Sequence, residues 1–326
     1  MPIIKNLVAA ALGFGLIAGA ASAAEELKLA NFMAPTHPYV SGVLEPFAAK
    51  VAELTGGEIT VTIYNGGELG TGPTDQYSRV LDGVTEFAIG LPGYTASAFP
   101  VTLLTELPGV ITEAGGTETI WNNIDLFLPE YERVKLVGLW SSAPNLLYMR
   151  DKAVRAPEDL RGLNIRVPSR TAGLLIQAWG GNPVSMPVSE IYNAMQTGVI
   201  DGAMIDGSAT HAFKLGEVAN HLTVGMDSTI SPFFLLMNRH DFEEMTPEHR
   251  AAIEAAGRET SRLGNEVQLN EARKGVDGFA ALGKEVIRLT PEEATPFNEI
   301  AKATAEAVAN RAGAGAVDVM NALRAG

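Results

Sequence analysis

The N-terminal third of the mature chain alternates between β-prone runs and amphipathic segments. Apolar and polar residues alternate in Leu27–Phe32 and in Ile59–Tyr64, which predicts two strands. Apolar residues at helical spacing predict a helix from about Tyr39 to Leu54, and a second helix at Thr74–Leu81 precedes a third strand at Glu86–Gly90. This order is typical of an α/β fold built on a parallel sheet.

A second α/β unit is predicted between residues 161 and 207. Asn164–Val167 is a β-prone run, and Ser169 is placed to cap the helix that follows it. A short amphipathic helix from Ser189 stops at Gly198, and residues 199–205 lead into a buried strand. Between the two units the pattern predicts a helix and two strands, at Thr117–Phe127, Lys135–Trp140 and Leu146–Met149.

The rest of the chain is mainly helical in pattern. Ala212–Leu222 is predicted as a helix, and Leu235–Asn238 as a strand that returns to the first unit. A helix of more than thirty residues is expected over Pro247–Leu282, followed by a β-prone run at Lys284–Leu289. Residues 313–326 are only weakly patterned.

Residues 1–23 have the organisation of a secretory signal peptide. Lys5 provides the positive start, Leu7–Ala20 the apolar run, and Ala21-Ser22-Ala23 the small-residue cleavage site. The apolar run is short for a membrane span, and acidic residues follow it. We therefore expect cleavage next to Ala24 and a periplasmic protein, with an uncleaved membrane anchor as the alternative.

The composition excludes several classes of function. The net charge of −14 argues against a nucleic-acid partner, and the absence of cysteine excludes disulfides and thiolate chemistry. No metal-binding or cofactor-binding motif is present, and no nucleophile motif precedes a helix in the way that catalysis requires. We expect no cofactor and no enzymatic activity.

Arg166 is the strongest candidate for binding a ligand. It lies at the end of a predicted strand among apolar residues, and the free N–H groups of the next helix begin just beyond it. Guanidinium and helix N-terminus together suit an anion, although an internal salt bridge would also explain a buried arginine. Arg170, in the first turn of that helix, either reaches the same anion or lies in solvent.

Two motifs give this chain a specific resemblance. PEDLRGLNIRVP at 157–168 and GGNPVSMPVSEIYNAMQTGVIDG at 180–202 resemble the solute-binding proteins of tripartite ATP-independent periplasmic (TRAP) transporters, of the dicarboxylate-binding DctP type. The likeness extends over nearly the whole mature chain. It implies a two-lobed periplasmic binding protein, type II-like, with a cleft between the lobes and a long helix that spans both.

The resemblance also implies the division into lobes and the role of Arg166. Lobe I is expected at 24–148 and about 228–262, and lobe II at 149–227 and about 263–326. In the family an arginine at this strand end pairs with the carboxylate of the ligand, so that role is expected of Arg166. His37 is a candidate contact because the family often has a His-Pro pair near the site.

Other candidate ligand contacts come from strand ends and loops. Tyr94 lies in a turn-rich loop at 90–100 that is expected to face the cleft, although it would equally seal its own lobe. Trp140 ends a predicted strand, so it either forms a flat wall of the site or fills the core. Asp206 is placed to accept from a hydroxyl or amine, and Phe233 completes the set.

The chain departs from the family where many members have a second basic residue and an Asn. The stretches around Trp140 and Asp206 stand in those places, which favours an aromatic or otherwise less polar monocarboxylate over a simple dicarboxylate. The expected function is periplasmic capture of a small organic acid and its delivery to TRAP permease subunits. A sensing subunit for a receptor kinase and a periplasmic enzyme on the same fold are the alternatives.

Overall fold

Two β-sheets, each covered by helices, form two lobes in the computed structural model, as the α/β prediction requires. The structure describes residues 24–70 and 72–325, so the predicted signal peptide lies outside the described residues. Within the described ranges, no helix is both long enough and apolar enough to cross a membrane.

The sheet of lobe I has five strands in the order β2-β1-β3-β10-β4. Their bounds are β1 (Glu25–Ala30), β2 (Ile59–Tyr64), β3 (Phe87–Gly90), β4 (Val134–Pro144) and β10 (Ile230–Asn238). β1 pairs in parallel with β2 and β3, which confirms the parallel arrangement predicted for the first unit. β10 runs antiparallel to β3 and β4 because it enters this sheet from the second lobe.

The sheet of lobe II has six strands in the order β11-β9-β5-β8-β6-β7. Their bounds are β5 (Leu146–Met149), β6 (Asn164–Val167), β7 (Asn182–Ser185), β8 (Gly202–Ile205), β9 (His221–Val224) and β11 (Glu285–Arg288). The pattern did not predict β7. This strand lies at the sheet edge, is mostly exposed and contains Pro183, so it lacks the alternation that marks a half-buried strand.

Eleven helices cover the two sheets within the described part of the chain. They are α1 (Glu45–Leu54), α2 (Gln76–Leu81), α3 (Gly116–Asn122), α4 (Arg170–Ala178), α5 (Ile191–Thr197), α6 (Ala209–Ala212), α7 (Leu215–Val218), α8 (Arg239–Glu244), α9 (Pro247–Ala281), α10 (Pro291–Ala312) and α11 (Ala314–Ala325). Ser169 caps α4 by accepting from the Ala172 N–H, as predicted. The helix predicted at Ala212–Leu222 is wrong. Lys214 adopts a left-handed conformation that separates α6 from α7, and β9 begins at His221.

Four segments cross between the lobes in the described part of the chain: two strand connections, the helix α9 and the helix α10. β4 passes into β5 through Asn145, and β9 returns to β10 through residues 225–229. These two crossings lie side by side, because Ile230 pairs with Pro144 and the Asn145 N–H donates to the Thr229 carbonyl at 2.9 Å. Paired extended segments of this kind are a natural hinge, since small changes of φ and ψ in a few residues rotate one lobe against the other.

The third crossing is α9, which is attached to both lobes through glycines. A Cβ at Gly257 would overlap the Val137 carbonyl, and one at Gly264 would overlap the ring of Trp140, both in lobe I. A Cβ at Gly275 would overlap the backbone of Gly207 in lobe II. The helix backbone therefore lies directly on both sheets, as the expected lobe-spanning helix should.

The C-terminal end of the chain lies on lobe I, which corrects the expected lobe II boundary of 263–326. Ala305 and Ala309 of α10 and Met320 and Leu323 of α11 are buried in the apolar core of lobe I, together with residues such as Phe99. α10 begins on lobe II, where Phe297 is buried, and with 22 residues it is long enough to reach lobe I. The weak pattern of residues 313–326 hid a helix whose few large apolar residues are buried.

We expect Gly275→Ala to lower the free energy of unfolding by about 1 to 3 kcal/mol, because the added methyl group must push α9 away from the Gly207 carbonyl. Urea unfolding monitored by circular dichroism measures the change. Gly315→Ala in α11 is the control, since nothing lies within 4 Å of its Cβ position and the exchange there should stabilise or leave the protein unchanged. Equal effects of the two exchanges would contradict this account of the packing.

Candidate functional site

A cavity lies between the lobes, beside the two paired crossings. The apolar part of its wall consists of Phe32, Met33, Leu91, Pro168, Val188, Ile205, Phe213 and Phe233. The polar part consists of His37, Tyr94, Asn145, Arg166, Asp206, Ser231 and Gln268. Apolar walls with a few convergent polar groups are typical of small-ligand sites.

Arg166 is held in the cavity wall by backbone carbonyls. Its Nε donates to the Met186 carbonyl at 3.0 Å and its Nη1 to the Met204 carbonyl at 3.3 Å. These acceptors come from the segments next to β6 on either side, so the guanidinium is fixed by lobe II itself. Since a guanidinium has five N–H groups, these contacts leave donors available for a ligand.

The charge of Arg166 has no direct counter-ion among the residues that the structure describes. The side chain is 1% exposed, and no carboxylate in the described ranges forms an ion pair with it. Burial lowers its pKa, while Tyr94 and the more distant charge of Glu106 act in the opposite direction. A buried cation in this state is stabilised by an anion that enters the cavity. The internal salt bridge considered from the sequence is therefore not formed among the described residues.

Tyr94 reaches across from lobe I to lobe II. Its hydroxyl accepts from the Val188 N–H at 3.2 Å and lies 3.5 Å from Nη2 of Arg166. The loop that carries it, with the single turn Pro92–Thr95, follows β3 directly. The structure thus brings Tyr94 next to Arg166 at the carboxyl ends of strands, where ligands of open α/β sheets bind.

Asp206 is a second buried charge in the cavity wall. It is 6% exposed, follows β8 and accepts from the Ser208 N–H at 2.9 Å. Burial raises its pKa, and hydrogen bonds from Ser208 and Gln268 partly oppose that shift. No ion pair to a cation is formed by this carboxylate within residues 24–70 and 72–325. It therefore adds an acceptor to a wall that is otherwise largely apolar.

His37 lies in the cavity wall with its ring between the two lobes. Its Nδ1 accepts from the Tyr39 N–H at 3.2 Å, so the neutral ring carries its proton on Nε2. Its ring centroid is 5.5 Å from that of Phe213, which belongs to lobe II. Burial lowers the pKa of His37 to about 4, so the ring is neutral at physiological pH.

Two of the candidate contacts do not reach the cavity. Trp140 is fully buried and donates from its indole N–H to the Tyr39 hydroxyl at 3.0 Å. Its ring stacks on Phe233 at a centroid distance of 5.9 Å, so Trp140 supports the wall from behind and Phe233 faces the cavity. Trp140 was expected at a strand end, but β4 continues for four residues beyond it, so its side chain packs inside lobe I and not in the cavity. Arg170 is exposed on α4 and is absent from the cavity wall.

Several wall residues were not expected from the sequence. Phe32 and Met33 lie two and three residues beyond the end of β1, and this position near a strand end was a usable signal. Asn145 and Ser231 belong to the paired crossings, where Asn145 donates to Ser231 at 3.2 Å. Gln268 is a buried polar residue of α9, and only the packing of that helix on both lobes brings it to the site.

The described residues contain no group of three or more His, Asp and Glu side chains that is arranged to hold a metal ion. The polar groups of the cavity are instead a guanidinium, a carboxylate, amides and hydroxyls. This set can hold an organic anion with hydrogen-bonding substituents, and it lacks an arrangement of nucleophile and base.

The chain matches a family of bacterial solute-binding proteins over most of its length. A model of the family DctP, bacterial extracellular solute-binding protein family 7, matches residues 29–311. The uncharacterized protein YiiZ of Salmonella typhimurium is 30% identical over 223 residues, which cover 67% of this chain and 68% of that protein. The C4-dicarboxylate-binding periplasmic protein DctP of Rhodobacter capsulatus is 25% identical over 334 aligned residues, covering 99% and 98%.

Solved structures share the fold over nearly the whole chain. A TRAP solute-binding protein from Rhodoferax ferrireducens, crystallised with copurified benzoate, superposes with a TM-score of 0.85 and is 27% identical. The match covers 92% of this chain and 96% of that one.

We expect the free energy of unfolding to fall as the pH is lowered from about 6.5 to 4, because unfolded His37 binds a proton that the buried ring excludes. The full loss from this group is up to about 3 kcal/mol. Since Asn can accept the Tyr39 N–H bond, His37→Asn should remove this part of the pH dependence. Substitution of the exposed His240 by Asn should leave this pH dependence unchanged. Parallel pH profiles for the wild type and His37→Asn, from thermal unfolding, would contradict the assignment.

Proposed function

The chain belongs to family 7 of the bacterial extracellular solute-binding proteins, and from this premise we propose that it captures a small, largely apolar monocarboxylate for a TRAP membrane permease. The ligand class that fits best is an aromatic acid. Capture takes place between the lobes, and delivery follows from closure over the ligand. The protein itself performs no chemistry on the ligand.

The observation that carries the proposal is the buried guanidinium of Arg166. It faces a cavity, is fixed by the carbonyls of Met186 and Met204, and has no ion pair among the described residues. A carboxylate fits a guanidinium through two parallel charge-assisted hydrogen bonds. In a closed cavity this pair is stronger than at a surface, because water no longer competes for either partner.

The other walls favour a flat apolar body behind the carboxylate. Phe32, Phe213 and Phe233 line the cavity, and Trp140 and Tyr39 pack rigidly behind Phe233. A ring inserted between such side chains gains edge and stacking contacts as well as burial. The copurified benzoate of the Rhodoferax ferrireducens protein is an acid of this kind.

Asp206 supports a polar substituent on that body. Its carboxylate lies in the cavity wall without a cation partner in the described part of the chain, and Gln268 adds an amide to the same wall. A ligand hydroxyl or amine can donate to Asp206 and so satisfy an acceptor that closure removes from water. Acids with a hydroxyl or amino group remote from the carboxylate are therefore favoured over fully apolar ones.

Two observations support a periplasmic location for the protein. The Rhodobacter capsulatus relative is a periplasmic protein by name, and residues 1–23 have the pattern of a signal peptide. We expect the mature protein in the periplasm, where it meets permease subunits at the outer face of the membrane.

We expect Arg166→Ala to weaken the binding of benzoate by about 2 to 5 kcal/mol, because the carboxylate loses both of its charged hydrogen bonds. Arg166→Lys should restore only part of this, since an ammonium lacks the planar fork. Isothermal titration calorimetry measures the affinities, and unliganded melting verifies folding.

The matched control for this test is Arg170→Ala. Arg170 has the same charge, lies four residues away and is exposed, so its removal should change the affinity by less than about threefold. A loss in Arg170→Ala with near-normal binding in Arg166→Ala would place the anion elsewhere and refute the proposal.

We expect Asp206→Asn to discriminate between ligands. An amide is a weaker acceptor than a carboxylate, so affinity for ring-hydroxylated benzoates should fall by roughly tenfold, while benzoate itself should bind as well or better. The comparison uses the three hydroxybenzoate isomers and benzoate on both proteins. An equal change for all four acids would show that Asp206 does not contact the substituent.

A further inference from the structure

A buried carboxylate joins the two lobes at a point that the ligand does not explain. Glu106 ends the single turn Thr102–Glu106 of lobe I, and its Oε2 accepts from the Ser169 hydroxyl of lobe II at 2.6 Å. Both side chains are 1% exposed. Ser169 Oγ also accepts from the Ala172 N–H at 3.0 Å, so its only proton is committed to Glu106.

This contact depends on the closed arrangement of the lobes. Gly93, on the loop of lobe I that also carries Tyr94, lies so close to lobe II that a Cβ there would be 3.0 Å from Ser169 Cβ and 3.3 Å from the Pro168 carbonyl. Tyr94 accepts from the Val188 N–H in the same region. Opening the cleft would separate these pairs and return Glu106 to water.

The charged and titratable groups around Glu106 are few. Arg166 on β6 acts on it through its charge, and Tyr94 on the 92–95 turn contacts Arg166. α4 contributes Arg170, which is exposed, and β10 contributes no titratable side chain. α11 contributes the exposed Asp318, and Arg324, which is paired with Glu306.

The balance of these influences favours the neutral carboxyl in the closed form. Burial raises the pKa of Glu106 to about 7, and the hydrogen bond from Ser169 and the charge of Arg166 only partly oppose it. In an open cleft the carboxyl would titrate near its usual value of 4.5. Between these two values closure takes up a proton, so the closed form is favoured as the pH falls from about 7 towards 4.5.

We propose that Glu106 and Ser169 form a proton-linked latch that holds the lobes together, so that capture of the acid is accompanied by protonation of Glu106. The proposal rests on the proposed function, because the same closure encloses the ligand. When the ligand carboxylate binds Arg166, a second negative charge near Glu106 favours its protonation further. The proton comes from solvent and returns there when the lobes open.

The test compares the wild type with Glu106→Gln, which stays neutral and keeps a carbonyl that can accept from Ser169. Benzoate affinity is measured by calorimetry at pH 5 and pH 8. We expect Glu106→Gln to bind more tightly than the wild type at pH 8, by roughly tenfold or more, and the two to agree within about fivefold at pH 5. In buffers of different ionisation enthalpy at pH 6, the wild type should take up on the order of 0.5 to 1 proton more than Glu106→Gln.

The matched control is Glu130→Gln. Glu130 is a partly buried carboxylate whose pKa is also raised by burial, but among the described residues its hydrogen bonds come from Val101 and Thr102 of its own lobe. Its removal should leave the pH dependence of binding unchanged. The titration of His37 is common to all these proteins and cancels in the comparison.

A second measurement needs no ligand, so it separates the latch from the ligand assignment. The chain has no cysteine, and Asp82→Cys in lobe I with Gln177→Cys in lobe II places two spin labels on exposed residues. Lowering the pH from 8 to 5 should shift the label distances further towards the closed form in the wild type than in Glu106→Gln. If benzoate does not bind, the proposed ligand class is refuted, and the label distances still test the latch. An identical pH response of the distances in both proteins would refute the proposal that Glu106 links closure to protonation.

Discussion

The buried guanidinium of Arg166, which forms no ion pair among the described residues, is the constraint on which the site depends. A charge that is 1% exposed needs a fixed environment, and lobe II supplies it through the carbonyls of Met186 and Met204. These carbonyls hold the guanidinium in place, but they carry no net charge and leave some of its N–H groups available to a ligand. The proposed carboxylate ligand would supply the missing negative charge. A buried arginine that needs an anion agrees with membership of the TRAP solute-binding family. The sequence motifs indicated this family, and the family match confirms it.

Closure is the second requirement, and the attachment of α9 limits how it can occur. The helix backbone lies directly on Val137 and Trp140 of lobe I and on Gly207 of lobe II, with glycine at each contact. These close contacts limit sliding of α9 on either lobe, so we expect the lobes to move mainly by bending of the paired crossings at Asn145 and residues 225–229. Asn145 and Ser231 of these crossings also line the cavity. A ligand that touches them therefore acts on the segments that must bend.

The sequence predicted the elements that local pattern controls and missed those that packing controls. The strand at Asn164–Val167, the Ser169 cap and the long helix are confirmed, because each depends on neighbours within a few residues. Trp140 was placed at a strand end because the apolar run stops there, yet the strand continues through Ser141 to Pro144. The position of Gln268 in the cavity wall could not be predicted for a different reason. A polar residue on a long helix is expected to be exposed, and Gln268 is buried because the helix packs on both lobes.

His37 and Glu106 give closure two proton exchanges of opposite sign. Burial against Phe213 keeps His37 neutral, so closing over it releases a proton wherever the open form is protonated, below about pH 6.5. Glu106 takes up a proton over an overlapping range, between its usual value of 4.5 and about 7. Near pH 5.5 the two exchanges nearly cancel, and closure carries little net charge change from these residues. Between about pH 6.5 and 7 only Glu106 remains linked, so the neutral range is where the latch has its clearest effect. The periplasm is in exchange with the external medium, and a binding protein with both groups would hold its affinity more constant under acid conditions than one with either group alone.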